Sequence, residues 1–246
     1  KYITTNKKFY FFKNNMTNTL KQFINEYLEH EDDTSILSGL TIYCDMDGVI
    51  VDFVKGSIER INRILDGELA DEELLTSKSM RKDLRKIQKE KGYEWRVASS
   101  SDINYRPVRN LMMSYISFSP GRYYKTLPVF TDGVNELWPF ITSLGYDVKI
   151  LSAPVKARPD LDVQTAAQGK EDWVKSHLSP QPSEVIVVPA REKRQFAVTS
   201  GIQNLLIDDK ESTILEWKED GGIGIHHTPG NSKKTIQELI LLGLGK

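Results

Sequence analysis

The sequence predicts an α/β protein: a doubly wound, Rossmann-like parallel sheet of about five strands, with a helical cap inserted after the first strand. Three observations carry this. From residue 133 onward, short apolar runs alternate with helical ones, the pattern of parallel strands covered on both faces. Three of the apolar runs end in Asp or Ser, at the strand ends where open parallel sheets bind ligands. Residues 66–131 hold helical segments and no clear alternating strand. A length of 246 residues suits one core with an insertion.

Residues 1–40 form an N-terminal extension with a helix over 17–30, where Leu20, Phe23, Ile24, Tyr27 and Leu28 recur at helical spacing and Thr17 or Asn18 can cap the start. The stretch TIYC, residues 41–44, reads as the first strand and runs into Asp45, Asp47 and Gly48. FVKGSIERINRIL, 53–65, is helical. The cap spans 54–131, with a charged helix over 71–91 and an aromatic-rich piece after it. The core comprises 41–53 and 132–246. In it, helix 133–144 leads to strand 147–151, helix 169–178 to strand 184–188, and a short helical piece near 190–199 to strand 204–207. Helix 211–219 precedes the apolar run GIGIHH, and a helix over 232–242 closes the chain.

The bulk numbers exclude more than they assign. A formal net charge of −1 gives no sign of a nucleic-acid or membrane partner, and a homodimer is compatible with everything here. A single cysteine, Cys44, allows no intrachain disulfide and points to the reducing cytoplasm. No apolar run approaches the ~20 residues of a membrane span, and the opening residues lack a secretory pattern.

The strand-end carboxylates carry the chemistry. Asp45 and Asp47 follow the first strand, Ser152 ends the second, and Asp208 and Asp209 follow the fourth. If the first and fourth strands are neighbours, these carboxylates meet at one rim. Clustered carboxylates repel, and burial raises their pKa. A hard dication such as Mg2+ removes both problems, since it takes carboxylates, waters and phosphate oxygens as ligands. One carboxylate then remains able to attack phosphorus, and a second to move protons. Gly48 allows the sharp turn after Asp47. Helix capping alone explains one Asp, but not two at alternate positions matched by a second Asp pair and a Ser on other strands.

The segment DMDGVIVDF resembles the first motif of the haloacid dehalogenase superfamily of phosphohydrolases. That resemblance covers roughly residues 41–227. It implies Asp45 as the nucleophile that becomes an aspartyl-phosphate and Asp47 as the general acid/base. Ser152, in KILSAP, matches the hydroxyl that holds the phosphoryl group, with Ala153 beside it. Lys170 matches the neutralising lysine. Asp208, in LLIDD, matches the Mg2+ ligand that works with Asp45 and the Asp47 carbonyl, and Asp209 is a nearby support. The second aspartate of the first motif implies a phosphatase. SPGRYYKTLPVFTDGVNEL, KEDWV and LLIDD together resemble the 5′(3′)-deoxyribonucleotidase branch, which implies a nucleoside monophosphate as substrate. Here GRYY stands where that branch has a phenylalanine pair. Other readings are a phosphatase for a different small ester or a nucleic-acid terminal phosphate, and a binding protein of this fold without turnover.

Aromatic faces stack on bases, and Tyr123 and Tyr124 match the pocket-lining segment of the resembled branch, which implies that they, with Arg122, line a substrate pocket in the cap. Lys193 is expected on a basic rim with Arg191 and Arg194 that attracts an anionic substrate, or as the alternative neutralising lysine. His226 and His227 read as ordinary strand-end histidines, and Cys44 as a buried thiol facing away from Asp45.

Overall fold

The computed structural model describes residues 39–68, 77–155 and 162–245. The expected helix over 17–30 and the first turns of the expected helix 71–91 lie outside the described residues.

Five parallel strands form one sheet in the order β3-β2-β1-β6-β7. They are β1 (Thr41–Cys44), β2 (Asp147–Ser152), β3 (Val185–Val187), β6 (Leu205–Asp208) and β7 (Ile223–His226). From β1 the chain fills one side of the sheet through β2 and β3, then crosses back to lay β6 and β7 on the other. The direction of winding therefore reverses at β1, and ligands bind in the crevice at such a switch point. Register fixes what meets there: Ile42 pairs with Leu205 and Cys44 with Ile207, and the Asp45 amide donates to the Ile207 carbonyl at 2.9 Å. The carboxylates that follow β1 and β6 thus emerge side by side. Ile42, Cys44, Ile150, Leu205 and Ile207 are all fully buried, as expected of strands covered on both faces.

The described elements of the insertion are helices: α1 (Phe53–Leu65), α2 (Lys78–Lys91), α3 (Ser100–Ile103), α4 (Arg106–Phe118) and α5 (Pro120–Lys125). The chain leaves and rejoins the core as paired backbone, with Asp52 N–H donating to Pro128 O at 2.8 Å and Phe130 N–H to Ile50 O at 2.9 Å. A π-helical turn, Gly133–Leu137, then leads into α6 (Trp138–Ser143). Pro139 has no N–H to give to the helical ladder, and the wider turn sits directly before it. Helix α7 (Val163–His177) begins six residues before the expected start, because the Asp162 side chain caps it by accepting from the Thr165 N–H at 3.0 Å.

A 3-10 turn (Ala190–Phe196) follows β3. The small hairpin of β4 (Val198–Thr199) and β5 (Ile202–Gln203) was not expected from the sequence. Its turn is Ser200-Gly201, both at positive φ, a short-hairpin signal. Helices α8 (Glu211–Glu219) and α9 (Ser232–Leu241) complete the chain.

Helices α5 and α7 cross at backbone contact: a Cβ on Gly169 would collide with the Gly121 backbone. That approach brings Tyr124 of α5 against Lys170 of α7. Trp173, one turn further on, is buried and donates its indole N–H to the Leu127 carbonyl at 2.8 Å, which fixes the end of the insertion to the core.

Candidate active site

The rim beyond β1 and β6 is a cluster of opposed charges. Carboxylate oxygens of Asp45, Asp208 and Asp209 lie within 4.8 Å of one another. Lys193, at 2% exposure, reaches between two of them, with Nζ 3.0 Å from Asp45 Oδ2 and 2.7 Å from Asp208 Oδ2. Backbone amides hold the other oxygens: Met46 N–H donates to Asp45 Oδ1 and Lys210 N–H to Asp208 Oδ1, both at 2.8 Å. Burial opposes the Lys193 charge, but Asp45 and Asp208 outweigh it and hold the ammonium above its ordinary range.

One ammonium does not balance three carboxylates. Burial and then the neighbouring Asp45 push Asp208 up to about 6. Burial, followed by the charges of Asp45, Asp208 and Asp47, pushes Asp209 up to about 7. The cluster therefore carries unmet negative charge on hard oxygen donors, which is the demand a divalent cation such as Mg2+ meets.

A second set lies beside the first. Lys170, with no exposed surface, donates to Asp47 Oδ2 at 2.8 Å and to Ser152 Oγ at 3.1 Å. Its Nζ stands 4.4 Å from the centroid of the Tyr124 ring, a cation–π contact. The Tyr124 hydroxyl accepts from the Val155 N–H at 2.8 Å, so the ring is locked beneath the ammonium. Asp47 Oδ1 is buried without a partner. Burial raises the Asp47 pKa and Lys170 opposes that rise, which favours a carboxyl that retains its proton more than a free aspartate does.

Gly48 makes the two sets compatible. Its φ is +82°, and a Cβ there would collide with the Asp209 carboxylate.

Above the carboxylates opens a cavity of about 410 Å³ lined by Asp45, Asp47, Ala153, Lys193, Asp208 and Asp209 at its base. Phe53, Val54, Phe130, Val155 and Pro229 add apolar surface to the lining, beside the polar Asp52, Lys210 and Thr213. Phe53 and Phe130 stand where the insertion leaves and rejoins the core. Sequence reasoning missed both, although their place at the two crossings next to Asp52 and Pro128 was a signal available to it.

The structure brings Asp45, Asp47, Ser152, Lys170, Asp208 and Asp209 into one site, and three expectations change. Lys193 is not on an exposed basic surface with Arg191 and Arg194: it lies inside the cluster and bridges Asp45 to Asp208, where the alternative expectation of a neutralising lysine would put it, while Lys170 serves Asp47 and Ser152. Tyr123 and Tyr124 do not line the cavity. Both are 1% exposed; the Tyr123 hydroxyl bonds that of Ser57 at 2.7 Å, and its ring packs against Phe53, Tyr115 and Tyr124. Tyr123 is thus buried against α1 and α4, and Tyr124 against Lys170 of α7, where α5 and α7 meet at Gly121 and Gly169. Arg122, which precedes them on α5, is exposed and does not line the cavity.

Of the strand-end histidines, His226 donates from Nε2 to the Asp209 carbonyl at 2.9 Å. His227 is buried with Nδ1 2.8 Å from Thr235 Oγ1, and burial holds it at about 4. Cys44 is buried with its Sγ on the Asp45 carbonyl at 3.3 Å, and desolvation pushes the thiol far up. Among the described residues no helix is long and apolar enough to cross a membrane.

No family model matches the sequence, and no curated protein matches it. Solved structures with a similar fold include a hydrolase from Streptococcus pneumoniae, 13% identical with a TM-score of 0.42 over 80% of this chain and 97% of that one. Another is a haloacid dehalogenase-like family hydrolase from the same organism, 16% identical with a TM-score of 0.40 over 76% and 84%. A third is a mutant HAD family enzyme from Bacteroides thetaiotaomicron in complex with magnesium and inorganic phosphate, 14% identical with a TM-score of 0.37 over 78% and 95%.

Proposed function

We propose that the chain is a Mg2+-dependent phosphomonoesterase of the haloacid dehalogenase type that hydrolyses nucleoside monophosphates through an aspartyl-phosphate on Asp45. The observation that carries this reading is the pairing at the rim: Asp45 and Asp208, on adjacent strands, share Lys193, while Asp47 is held separately by Lys170. Two carboxylates two residues apart thus have different partners, which suits one to attack and the other to move protons.

In this reading an Asp45 carboxylate oxygen attacks phosphorus as the ester P–O bond breaks. Asp47 gives its proton to the departing alkoxide. It then takes a proton from water, whose oxygen attacks the same phosphorus, and the bond from phosphorus to Asp45 breaks to release inorganic phosphate and the original carboxylate. Lys193 neutralises Asp45 and the phosphoryl oxygens near it, and Ser152 Oγ donates to the phosphoryl group while Lys170 positions it. Asp45, Asp208 and Asp209, with the Asp47 carbonyl, are the residues that would hold Mg2+. When bound, the ion shields the attacking carboxylate from phosphate charge and stabilises the charge of the transition state.

The substrate assignment rests on the cavity. A volume of about 410 Å³ falls in the range of small-molecule sites, and the Phe53 and Phe130 walls offer apolar and aromatic surface to a leaving group with a flat base. The test is phosphate release with and without Mg2+ from nucleoside monophosphates, sugar phosphates, an aryl phosphate and end-phosphorylated oligonucleotides. The reading expects Mg2+-dependent release with the highest kcat/KM on a nucleoside monophosphate. Absence of release from every compound overturns the hydrolysis. A sugar phosphate or an oligonucleotide end as the best substrate overturns the nucleotide assignment alone.

A further inference from the structure

The chain's near-zero net charge conceals a division. Residues 54–131 hold fifteen Lys and Arg against ten Asp and Glu, while the rest of the chain holds eighteen against twenty-four. The whole excess of the insertion sits on α2, KSMRKDLRKIQKEK, which has seven basic residues and two acidic ones.

These residues are ordered on the helix. Lys78, Arg81, Lys82, Arg85, Lys86 and Lys89 recur three and four residues apart, so they form one stripe along the outer face, and all six are exposed. The stripe extends over roughly 16 Å of helix axis. Met80 and Ile87, on the opposite face, are buried against the insertion's core, with α4 beneath. Lys91 belongs to the inner side, with Nζ 5.6 Å from the Trp95 ring and 5.2 Å from the Tyr105 ring.

Like charges four residues apart weaken a helix, and the stripe contains four such pairs. Among the described residues, two acidic side chains lie on α2 itself. Lys86 approaches Glu90 only at 3.8 Å, and Glu90 also accepts from the Tyr105 hydroxyl. Asp83 lies half-buried on the flank.

We propose that the outer face of α2 is a docking surface for the phosphate backbone of a nucleic acid. A linear array of cations on a rigid helix matches a strand of regularly spaced phosphates, and it carries no groups arranged to read bases. An anionic bilayer is the poorer partner: helices that dock on membranes insert an apolar face, whereas Met80 and Ile87 are buried in the protein and Leu84, half-buried, is the one other apolar residue of α2. The proposal goes beyond the hydrolysis proposed above. No α2 residue lines the cavity, and binding is measured without turnover.

The test uses the full chain and labelled single- and double-stranded oligonucleotides, titrated by fluorescence anisotropy across a salt series. The expected affinity falls with salt, with a slope near −0.7 per phosphate contacted on a single strand. The variant Lys82→Gln/Arg85→Gln/Lys86→Gln/Lys89→Gln should bind at least tenfold more weakly and flatten the slope by about 0.7 for each cation removed. A control, Lys175→Gln/Lys233→Gln, removes two exposed cations elsewhere and should bind as the parent does. Glutamine is a good helix former, and circular dichroism checks the fold. If the quadruple variant misfolds, the pairs Lys82→Gln/Lys86→Gln and Arg85→Gln/Lys89→Gln give the same reading. The proposal is overturned if neither oligonucleotide binds, or if binding ignores the stripe variants. It is equally overturned if anionic vesicles or polyglutamate bind as tightly as the oligonucleotides.

Discussion

Lys170 and Lys193 are enclosed in the protein, each held between oxygen partners at 2.7–3.1 Å, whereas the six lysines and arginines of the α2 stripe stand in solvent. The two regions use the same chemical groups for opposite ends. At the rim, removing one partner leaves a buried charge uncompensated, which costs roughly 3–5 kcal/mol, so each pair fixes the geometry of the other. On α2 an exposed charge contributes almost nothing to folding. Rim substitutions should therefore impair chemistry and stability together, and stripe substitutions should impair neither.

Lys193→Met gives the largest contrast. It strips Asp45 and Asp208 of their shared cation, and hydrolysis should fall by roughly 10²–10³-fold, the scale of losing one preorganised donor at a phosphoryl site. Steady-state kinetics on a nucleotide and an aryl phosphate would measure it. Near-parental rates would place Lys193 outside the mechanism and return the neutralising role to Lys170.

Tyr124 comes next. Its ring supports the Lys170 ammonium, so Tyr124→Leu should lower kcat roughly tenfold, the scale of a desolvated cation–π contact, with little change in KM. Tyr124→Phe keeps the ring and should restore most of kcat. In a Lys170→Met background, Tyr124→Leu should have no further effect, since the partner is already gone. Equal kcat losses in the Leu and Phe variants, or additive losses in the double variant, would reduce Tyr124 to a packing residue.

A smaller effect separates the rim from the rest of the molecule by pH. Asp209 at about 7 and Asp208 at about 6 bind protons more tightly in the folded chain than in the unfolded one. In ion-free protein their stabilising contribution is complete below the ordinary carboxylate range and is lost as pH rises through 6 to 7. Mg2+ competes with those protons, so the Tm increase it produces should be greater at pH 8 than at pH 5.5. Taking the difference between loaded and ion-free protein removes His227, which at about 4 acts in the opposite direction. An increase that is equal at both pH values, or greater at the lower one, would show that the carboxylate cluster is not where Mg2+ binds.

The smallest expected loss is at α2: the quadruple glutamine variant removes the four like-charge pairs of the stripe and should be at least as stable as the parent. A measurable loss would show that the stripe contributes to folding.

The rim was legible in the sequence because strand and chemistry are contiguous there. Asp45 and Asp208 follow apolar runs directly, and β1, α1 and α8 have the bounds that their apolar spacing predicts. The five-strand parallel sheet follows from the alternation of runs after residue 133. What the sequence hid depends on which way a side chain turns. In REKR, residues 191–194, three cations are chemically alike, yet only Lys193 turns inward; Arg194 pairs with Asp220, and the Arg191 side chain is 86% exposed. The 3-10 turn that carries them has no period from which one inward position can be read. Tyr123 and Tyr124 read as a ligand platform because they match the pocket-lining segment of the resembled branch. Their burial comes from contacts far apart in the chain: Tyr123 with Ser57, Phe53 and Tyr115, and Tyr124 with Lys170 where Gly121 meets Gly169. Phe53 read as a helix start and Phe130 as the end of the aromatic-rich piece, and they became cavity walls only once the insertion's two crossings lay side by side.

The central claim, that Asp45 takes the phosphoryl group, is tested most directly in the Asp47→Asn variant mixed with an aryl phosphate and Mg2+. The aryl oxide leaves without a proton, so attack by Asp45 proceeds, whereas breakdown of the intermediate needs the base that this variant lacks. Acid-quenched protein, analysed by intact mass and peptide mapping, should gain one phosphoryl group on the peptide spanning residues 41–53, and the Asp45→Asn/Asp47→Asn variant should gain none. Turnover by the parent enzyme with no adduct in Asp47→Asn, or an adduct on any other residue, would contradict the account.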